Sequence, residues 1–370
     1  MVEATSAEPI SVLVEGEKWS GWNSVQVVRT LDSCAGSFRL GIPLVRGRRW
    51  PILPGQAIKV LIGDDLICTG FVDRLEATLD NDGRRIEIEG RDRTADLVDC
   101  SSEAKAFEWR GLELAQIVAE LVSPYGILID VQTKRASERF ELFSRTADES
   151  AWDVIERACR TKGVLAYTLE NGTLALAPIA SKIVTGVLTE GGNIHRASVR
   201  WDVSGRYATY EVEAAGRGGD DSWGEQVISI KGSSKDSAID RHRLLVIRGE
   251  DHFTREDAQR MAEWEATARR ARSTAIEVEV LGWRHLDRFA QQQQPWRVNQ
   301  LASVILREAF GIAGDFLVSR VEMNLGESGE SRTMLELVPP DAFIPQPVVA
   351  KPVGFDDFLT DDTETDTEGE

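Results

Sequence analysis

The chain has 370 residues, 42% of them apolar, and its 61 acidic against 43 basic side chains give a formal net charge of −18. That length supports several domains with cores of their own. The acidic balance argues against a phosphate backbone as the main partner, which would need a concentrated positive surface. No apolar run approaches the roughly 20 residues that span a bilayer, so stable membrane insertion is not expected. The opening MVEATSAEPIS lacks the basic start and apolar core of a secretory signal. Cys34, Cys68, Cys100 and Cys159 are widely spaced and form no CxxC pair. They read as reduced thiols in a chain made in the cytosol.

Residues 1–102 predict a first β-domain. Ile10 to Val14, Ser24 to Val28 and Ser37 to Ile42 alternate apolar with polar residues, the period of a half-buried strand. Arg46 to Pro54 is turn-rich. Gln56 to Ile62 and Leu66 to Leu79 bracket a Gly63-Asp64-Asp65 turn, and Asn81-Asp82-Gly83 is a hairpin signal. The stretch RRIEIEGRDRTADLVDCSS, Arg84 to Ser102, then runs from a strand into a short helical turn. Many short strands without a long helix predict a small antiparallel barrel or sandwich, because closure hides sheet edges.

Residues 103–190 predict an α+β domain. A helix after Gly111 places Leu114, Ile117, Val118 and Leu121 on one face and stops at Ser123-Pro124-Tyr125-Gly126. Ile127 to Val131 predicts a strand. Thr146 to Glu149 fits a capping box for a second helix that carries Trp152, Ile155 and Cys159 and ends at Gly163. A hairpin follows, turning at Asn171-Gly172.

Residues 191–344 return to strands, with an inserted loop and helix at about 216–272. Ser198 to Val203 and Arg206 to Glu213 alternate, and a polar loop spans Gly216 to Asp221. Thr254 to Asp257 caps the longest expected helix, to about Arg272, and Thr274 to Val280 is a strand. Residues 345–370 form an acidic tail. From Asp356 to Glu370 it has almost nothing apolar, so it cannot offset its ordering entropy and is expected to be disordered.

The chain also repeats itself. Phe71-Val72-Asp73-Arg74-Leu75-Glu76, a hairpin, and then Ile86 to Asp92 find a counterpart in Leu317-Val318-Ser319-Arg320-Val321-Glu322, a hairpin, and then Met334 to Asp341. The expected architecture is therefore β-rich α+β: two similar small antiparallel β-barrel domains, an α+β domain between them, and the disordered tail.

No catalytic, cofactor-binding or metal-binding residue is assigned. His195, His242, His252 and His285 show no HExxH or HxH spacing. There is no GxSxG, Walker loop or GxGxxG. Ser233-Ser234 reads as a loop rather than a nucleophile. Glu149 and Asp153 read as helix-capping acids rather than a glycosidase pair, and Asp220-Asp221 as a flexible acidic loop. Gly282 to His285 reads as strand-end packing rather than an aromatic binding shelf. Trp19, Trp22, Trp50, Trp109, Trp283 and Trp296 fall near element ends, a placement that suits subunit contacts and small-barrel cores equally.

Four segments carry a family resemblance: GRDRTADLVDCSS (Gly90 to Ser102), RHRLLVIRGE (Arg241 to Glu250), RMAEWEATARRARS (Arg260 to Ser273) with GWRH after it, and LELVPPDAF (Leu335 to Phe343). Across residues 8 to 345 the chain resembles the baseplate hub proteins of Mu-like contractile-tailed phages, the late-control-D-like group. The resemblance implies a virion structural protein, assembled in the host cytoplasm and without enzymatic activity or cofactor. It implies a homotrimer whose paired barrels make a pseudo-sixfold ring joining the sixfold tail tube to the threefold cell-puncturing spike. Implied partners are the spike, the tube and adjacent baseplate proteins, with DNA meeting the ring only in passage; the net charge of −18 is compatible with an acidic lumen. The rival expectations are a tail-associated cell-wall hydrolase and a glycan-binding adhesin. The acidic tail departs from the family pattern.

Overall fold

The structure, a computed structural model, describes residues 9–43, 50–80, 83–104, 106–180, 184–215, 229–249, 254–287, 291–326, 329–344 and 346–347. The Asn81-Asp82 turn, the Gly216 to Asp221 loop, His252 and the acidic stretch from Asp356 lie outside these residues. The chain divides into two compact units, residues 1–205 with 267–346 and residues 206–266 with 347–370.

The larger unit opens with β1 (Ile10–Val14), β2 (Glu17–Ser20), β3 (Ser24–Thr30) and β4 (Ser37–Pro43). A meander follows, β5 (Ala57–Ile62), β6 (Asp65–Asp80) and β7 (Gly83–Asp92), and ends in the short helix α1 (Ala95–Asp99). The alternation in these strands drives one face inward: Val12, Leu40, Val60 and Ile88 are fully buried. Each such side chain contributes about 1.5–3 kcal/mol by leaving water.

Residues after α1 form a second core around two helices. The elements are β8 (Glu108–Arg110), α2 (Leu114–Val122), β9 (Ile129–Val131), β10 (Leu142–Ser144), α3 (Ala151–Lys162), β11 (Leu165–Thr168) and β12 (Leu174–Ala177). Leu114, Ile117, Val118 and Leu121 of α2 pack with Val154, Ile155 and Cys159 of α3. Gly126, in the left-handed region at φ 62°, closes the turn after α2. The start of α3 differs from the sequence expectation. Glu149 does accept from the Thr146 backbone N–H at 2.8 Å, but the helix begins two residues later. There Ser150 Oγ accepts from Asp153 N at 3.1 Å and the Asp153 carboxylate accepts from Ser150 N at 3.0 Å. The Thr146–Glu149 and Ser150–Asp153 quartets lie end to end, and the second caps the helix, while Glu149 also pairs with Arg157 at 2.9 Å.

The remaining strands of this unit are β13 (Val184–Thr189) and β14 (Ile194–Trp201), and, beyond the smaller unit, six more strands and a short helix. The smaller unit itself holds β15 (Thr209–Ala215), β16 (Ser229–Lys235), β17 (Leu244–Arg248) and most of α4 (Arg255–Arg272). The chain then returns through β18 (Thr274–Leu281), β19 (Arg284–Leu286), β20 (Gln293–Pro295), β21 (Leu301–Leu306), helix α5 (Arg307–Phe310), β22 (Ile312–Leu325) and β23 (Ser331–Val338).

Within the smaller unit, β15 pairs antiparallel with β16 and parallel with β17, and α4 covers them through Ala258, Met261 and Ala262 against Val212 and Ala214. Thr254 caps α4 as the sequence suggests, its Oγ1 accepting from Asp257 N at 3.2 Å. Ser233-Ser234, in contrast, lies in β16 and not in a loop. The SIKGSSK composition disguises the strand. Gly232 is there because the helix backbone lies directly on it: a Cβ would stand 2.2 Å from the Ala258 carbonyl carbon.

One path of hydrogen-bonded strands crosses the larger unit in the order β14-β18-β23-β22-β3-β4-β7-β6-β5-β1-β2, with β21 on β22 and β13 on β21. Both halves carry the same six-strand order. It is β1-β5-β6-β7-β4-β3 in the first and β13-β21-β22-β23-β18-β14 in the second. The halves differ at one end, where β1 pairs antiparallel with β5 and β13 pairs parallel with β21. Their long middle strands break register at matched places. The β6–β7 ladder steps from Val72/Gly90 to Arg74/Glu89, passing over Asp73. The β22–β23 ladder steps from Val318/Leu337 to Arg320/Glu336, passing over Ser319. An extra residue of this kind bends a strand and increases its twist, so the two halves share a local deformation as well as an order.

Candidate functional site

The GRDRT motif builds the polar joint of the larger unit. β3 turns Arg29 inward where its neighbours on that face are Val25 and Val27. Arg29 Nη1 donates to the two oxygens of Asp92, at the end of β7, at 2.7 and 2.6 Å, and Nη2 donates to the Thr168 carbonyl at 2.5 Å. Asp92 also accepts from Gly36 N at 2.8 Å and from the Cys68 thiol at 3.0 Å. Thr94 and Thr168 share a 2.6 Å hydrogen bond, and Thr168 donates to the Cys34 carbonyl at 2.6 Å. The joint thus ties β3, β7 and β11 together. Burial alone would lower the Arg29 pKa, but the Asp92 charge, together with Cys68, Glu170 and the hydrogen bond to Asp92, outweighs it and the net shift is upward. Burial pushes the Cys34 thiol up to about 12 and holds Cys68 well above its usual range. Charge pairing satisfies this cluster, which leaves it without the exposed, activated group that chemistry on a substrate requires.

The second notable feature is where the sheet is joined and where it is open. β3 and β22 meet antiparallel, with Arg320 opposite Thr30, Glu322 opposite Val28 and Leu325 opposite Val25. Gln26 Nε2 donates across this junction to Glu322 Oε1 at 2.7 Å, and Leu31 N donates to the Ser319 carbonyl at 2.9 Å. Beneath it Val25, Val27, Val321 and Met323 are buried. The matching elements of the other pair are open. Among the described residues, β14 pairs with β18 alone, and residues 74–79 of β6 pair with β7 alone. Leu79 is 72% exposed and Trp201 57% exposed.

The candidate residues read from sequence scatter. His195 is exposed and lies 3.8 Å from Glu279, and His242 is exposed ahead of β17. His285 is buried against Trp296 with ring centroids 4.3 Å apart. Trp283 is buried and its Nε1 donates to the Asn324 carbonyl at 3.2 Å, which is core packing and not a shelf. Glu149 and Asp153 serve the start of α3. Among the described residues no group of three His, Cys, Asp or Glu side chains could hold a metal ion. None of their helices is long and apolar enough to cross a membrane. Trp22, Trp109, Trp283 and Trp296 are core residues, whereas the exposed Trp201 at the end of β14 was not singled out in the sequence. Its counterpart in the repeat is Arg29 on β3, a match that emerges only from the strand pairing.

Family descriptions match most of the chain. Residues 9–92 match the N-terminal domain of Mu phage baseplate assembly protein GpP-like proteins, residues 94–178 the second domain of baseplate hub protein gp44-like proteins, and residues 254–346 the fourth domain of Mu phage baseplate assembly protein GpP. The 43 kDa tail protein of prophage MuSo2 from Shewanella oneidensis superposes with a TM-score of 0.81 at 28% identity, covering 92% of this chain and all of that one. A tail protein from Neisseria meningitidis MC58 shares the fold, with a TM-score of 0.76 at 20% identity over 93% of this chain and all of that one. The class is thus that of β-rich phage tail proteins. The baseplate hub protein gp44 of Escherichia phage Mu is 30% identical over 342 residues, 90% of this chain and 89% of that protein. The chain belongs to the Mu-like baseplate hub family. That family consists of structural tail components and not enzymes, and its place is the tail baseplate of the virion.

Proposed function

We propose that the chain acts as a homotrimer, forming a ring that joins the sixfold tail tube to the threefold spike. In this reading residues 1–102 and 191–344 each build a small barrel, and three chains supply six similar barrels. Residues 103–190 and the insertion at about 216–272 make the contacts that recur only threefold, facing the spike and adjacent baseplate proteins. The observation that carries the reading is the repeated six-strand order with its matched register break at Asp73 and Ser319. A duplicated module lets one chain present near-equivalent surfaces twice, so a threefold assembly meets a sixfold partner with one set of contacts. The net charge of −18 suits a lumen through which DNA passes without adhering. Light scattering of the purified chain, 41.0 kDa per copy, tests the assembly. A species of three copies supports it, and a monomer that persists at high concentration refutes it.

A further inference from the structure

The internal repeat is joined through β3 and β22, and the two strands that match them, β14 and β6, are left with open edges on the same unit. Burial follows this difference. On β22, Val321 and Met323 are buried under the junction, whereas on β6 the matching Leu75 is half-buried and Ala77 and Leu79 are exposed. On β3, Val25 and Val27 are buried, whereas on β14 the matching Ala197 and Val199 are half-buried. Each half of the repeat thus carries an apolar face shaped for a neighbouring strand, and among the described residues only one of the two is covered.

We infer that β14 of one copy adds antiparallel to Arg74–Leu79 of β6 in the next copy, as β3 adds to β22 within each copy. This rests on the ring reading above and names its seam. The register follows from the strand pairs. The ladders match β6 to β22, β7 to β23, β4 to β18 and β3 to β14. Where Arg320 faces Thr30 and Glu322 faces Val28 inside the chain, the seam sets Arg74 opposite Asp202 and Glu76 opposite Arg200. Both are opposite-charge pairs on directly facing positions, the arrangement that stabilises adjacent strands. Leu75 then faces Trp201, and Ala77 faces Val199, covering the exposed apolar positions of both strands.

The internal junction shows that the strand chemistry is compatible. Arg74 pairs with Glu76 along β6 at 2.6 Å, and Arg320 pairs with Glu322 along β22 at 2.8 Å. Glu322 still accepts a bond from Gln26 across the junction, so the pair along β6 does not block the seam. The contact is heterologous, since each copy offers β14 to one neighbour and β6 to the other. Such a contact closes into a ring when the rotation permits, and strand addition supplies main-chain hydrogen bonds along its length.

Charge reversal and cross-linking test the seam in the full chain. Glu76→Arg sets two arginines face to face and is expected to raise the concentration for half-assembly by ten-fold or more, while Glu76→Arg with Arg200→Glu restores it. In a Cys100→Ser background, a mixture of Ala77→Cys and Val199→Cys chains is expected to give a covalent dimer on oxidation, which neither variant gives alone. The cross-link decides the matter where a charge variant fails to fold. A trimer that Glu76→Arg leaves unchanged and that yields no cross-link overturns the seam while leaving the ring reading standing. A parent chain that stays monomeric overturns both.

Discussion

Removal of the Asp92 carboxylate is the sharpest perturbation of the fold. In the native chain its side chain has no exposure to solvent, and it accepts from Arg29, Gly36 N and Cys68. Asp92→Ala leaves a buried guanidinium with the Thr168 carbonyl as its remaining partner among these contacts, and leaves the Gly36 N–H unpaired. Breaking one side of a buried pair costs about 3–5 kcal/mol, much of it from stranding the other charge. In a domain of this size each kcal/mol lowers Tm by roughly 2–4 °C, so thermal unfolding followed by circular dichroism should move down by roughly 6–20 °C. Arg29→Met with Asp92→Leu removes both charges and should recover a good part of the loss, because the strands then meet through apolar contacts. An Asp92→Ala protein that melts within about 2 °C of the parent, or a double variant that falls further than the single one, would refute the assignment of this pair as the joint.

Three further outcomes follow from the packing. Burial lifts the Cys34 and Cys159 thiols to about 12 and Cys68 well above its usual value, while Cys100 is exposed. Iodoacetamide at pH 8 should therefore label Cys100 in the native chain and all four cysteines in denaturant, as mass spectrometry would reveal; native labelling of Cys34 would contradict the burial. In linkage terms these neutral thiols stabilise the fold fully below about pH 9, and the contribution is lost as pH rises towards about 12, since the unfolded thiols ionise first. Burial holds the His285 imidazole below its usual pKa of 6.5, against the opposing Asp287 charge. Its contribution is present above that value and lost as pH falls, so His285→Phe should flatten the decline of Tm between pH 6.5 and 5, and an unchanged decline would count against it. Gly232→Val drives a Cβ into the Ala258 backbone, a cost of about 1–3 kcal/mol or more. Hydrogen exchange should accelerate across β16 and spare β5 to β7; unaltered protection of β16 would show that the helix does not lie on the strand.

The repeat was legible because strand alternation and the VDRLE and VSRVE segments survive in both halves. The joining of the two halves was not, because pairing between β3 and β22 brings together residues far apart in sequence and no local pattern announces it. Arg29 follows Val25 and Val27 at strand spacing on the inward face of β3, but no local pattern announces a buried charge there, because its partner Asp92 arrives from β7. The strand at Ser229–Lys235 was hidden for the opposite reason, since its glycine and serines carry low strand propensity and are retained by contact with α4. The capping box of α3 lies one quartet beyond the Thr146–Glu149 signal, because Ser150 to Asp153 supplies a second polar quartet immediately after it. The open edges of β6 and β14 emerge only when the halves are compared strand by strand, where a partner present in one is missing from the other.

A closed ring built on the duplicated module is the proposed assembly. Electron-microscopy class averages of the purified full chain test it most directly. Closed threefold rings whose outline shows six similar lobes, one for each proposed barrel, are expected. Open filaments, or isolated particles of one chain, would contradict it.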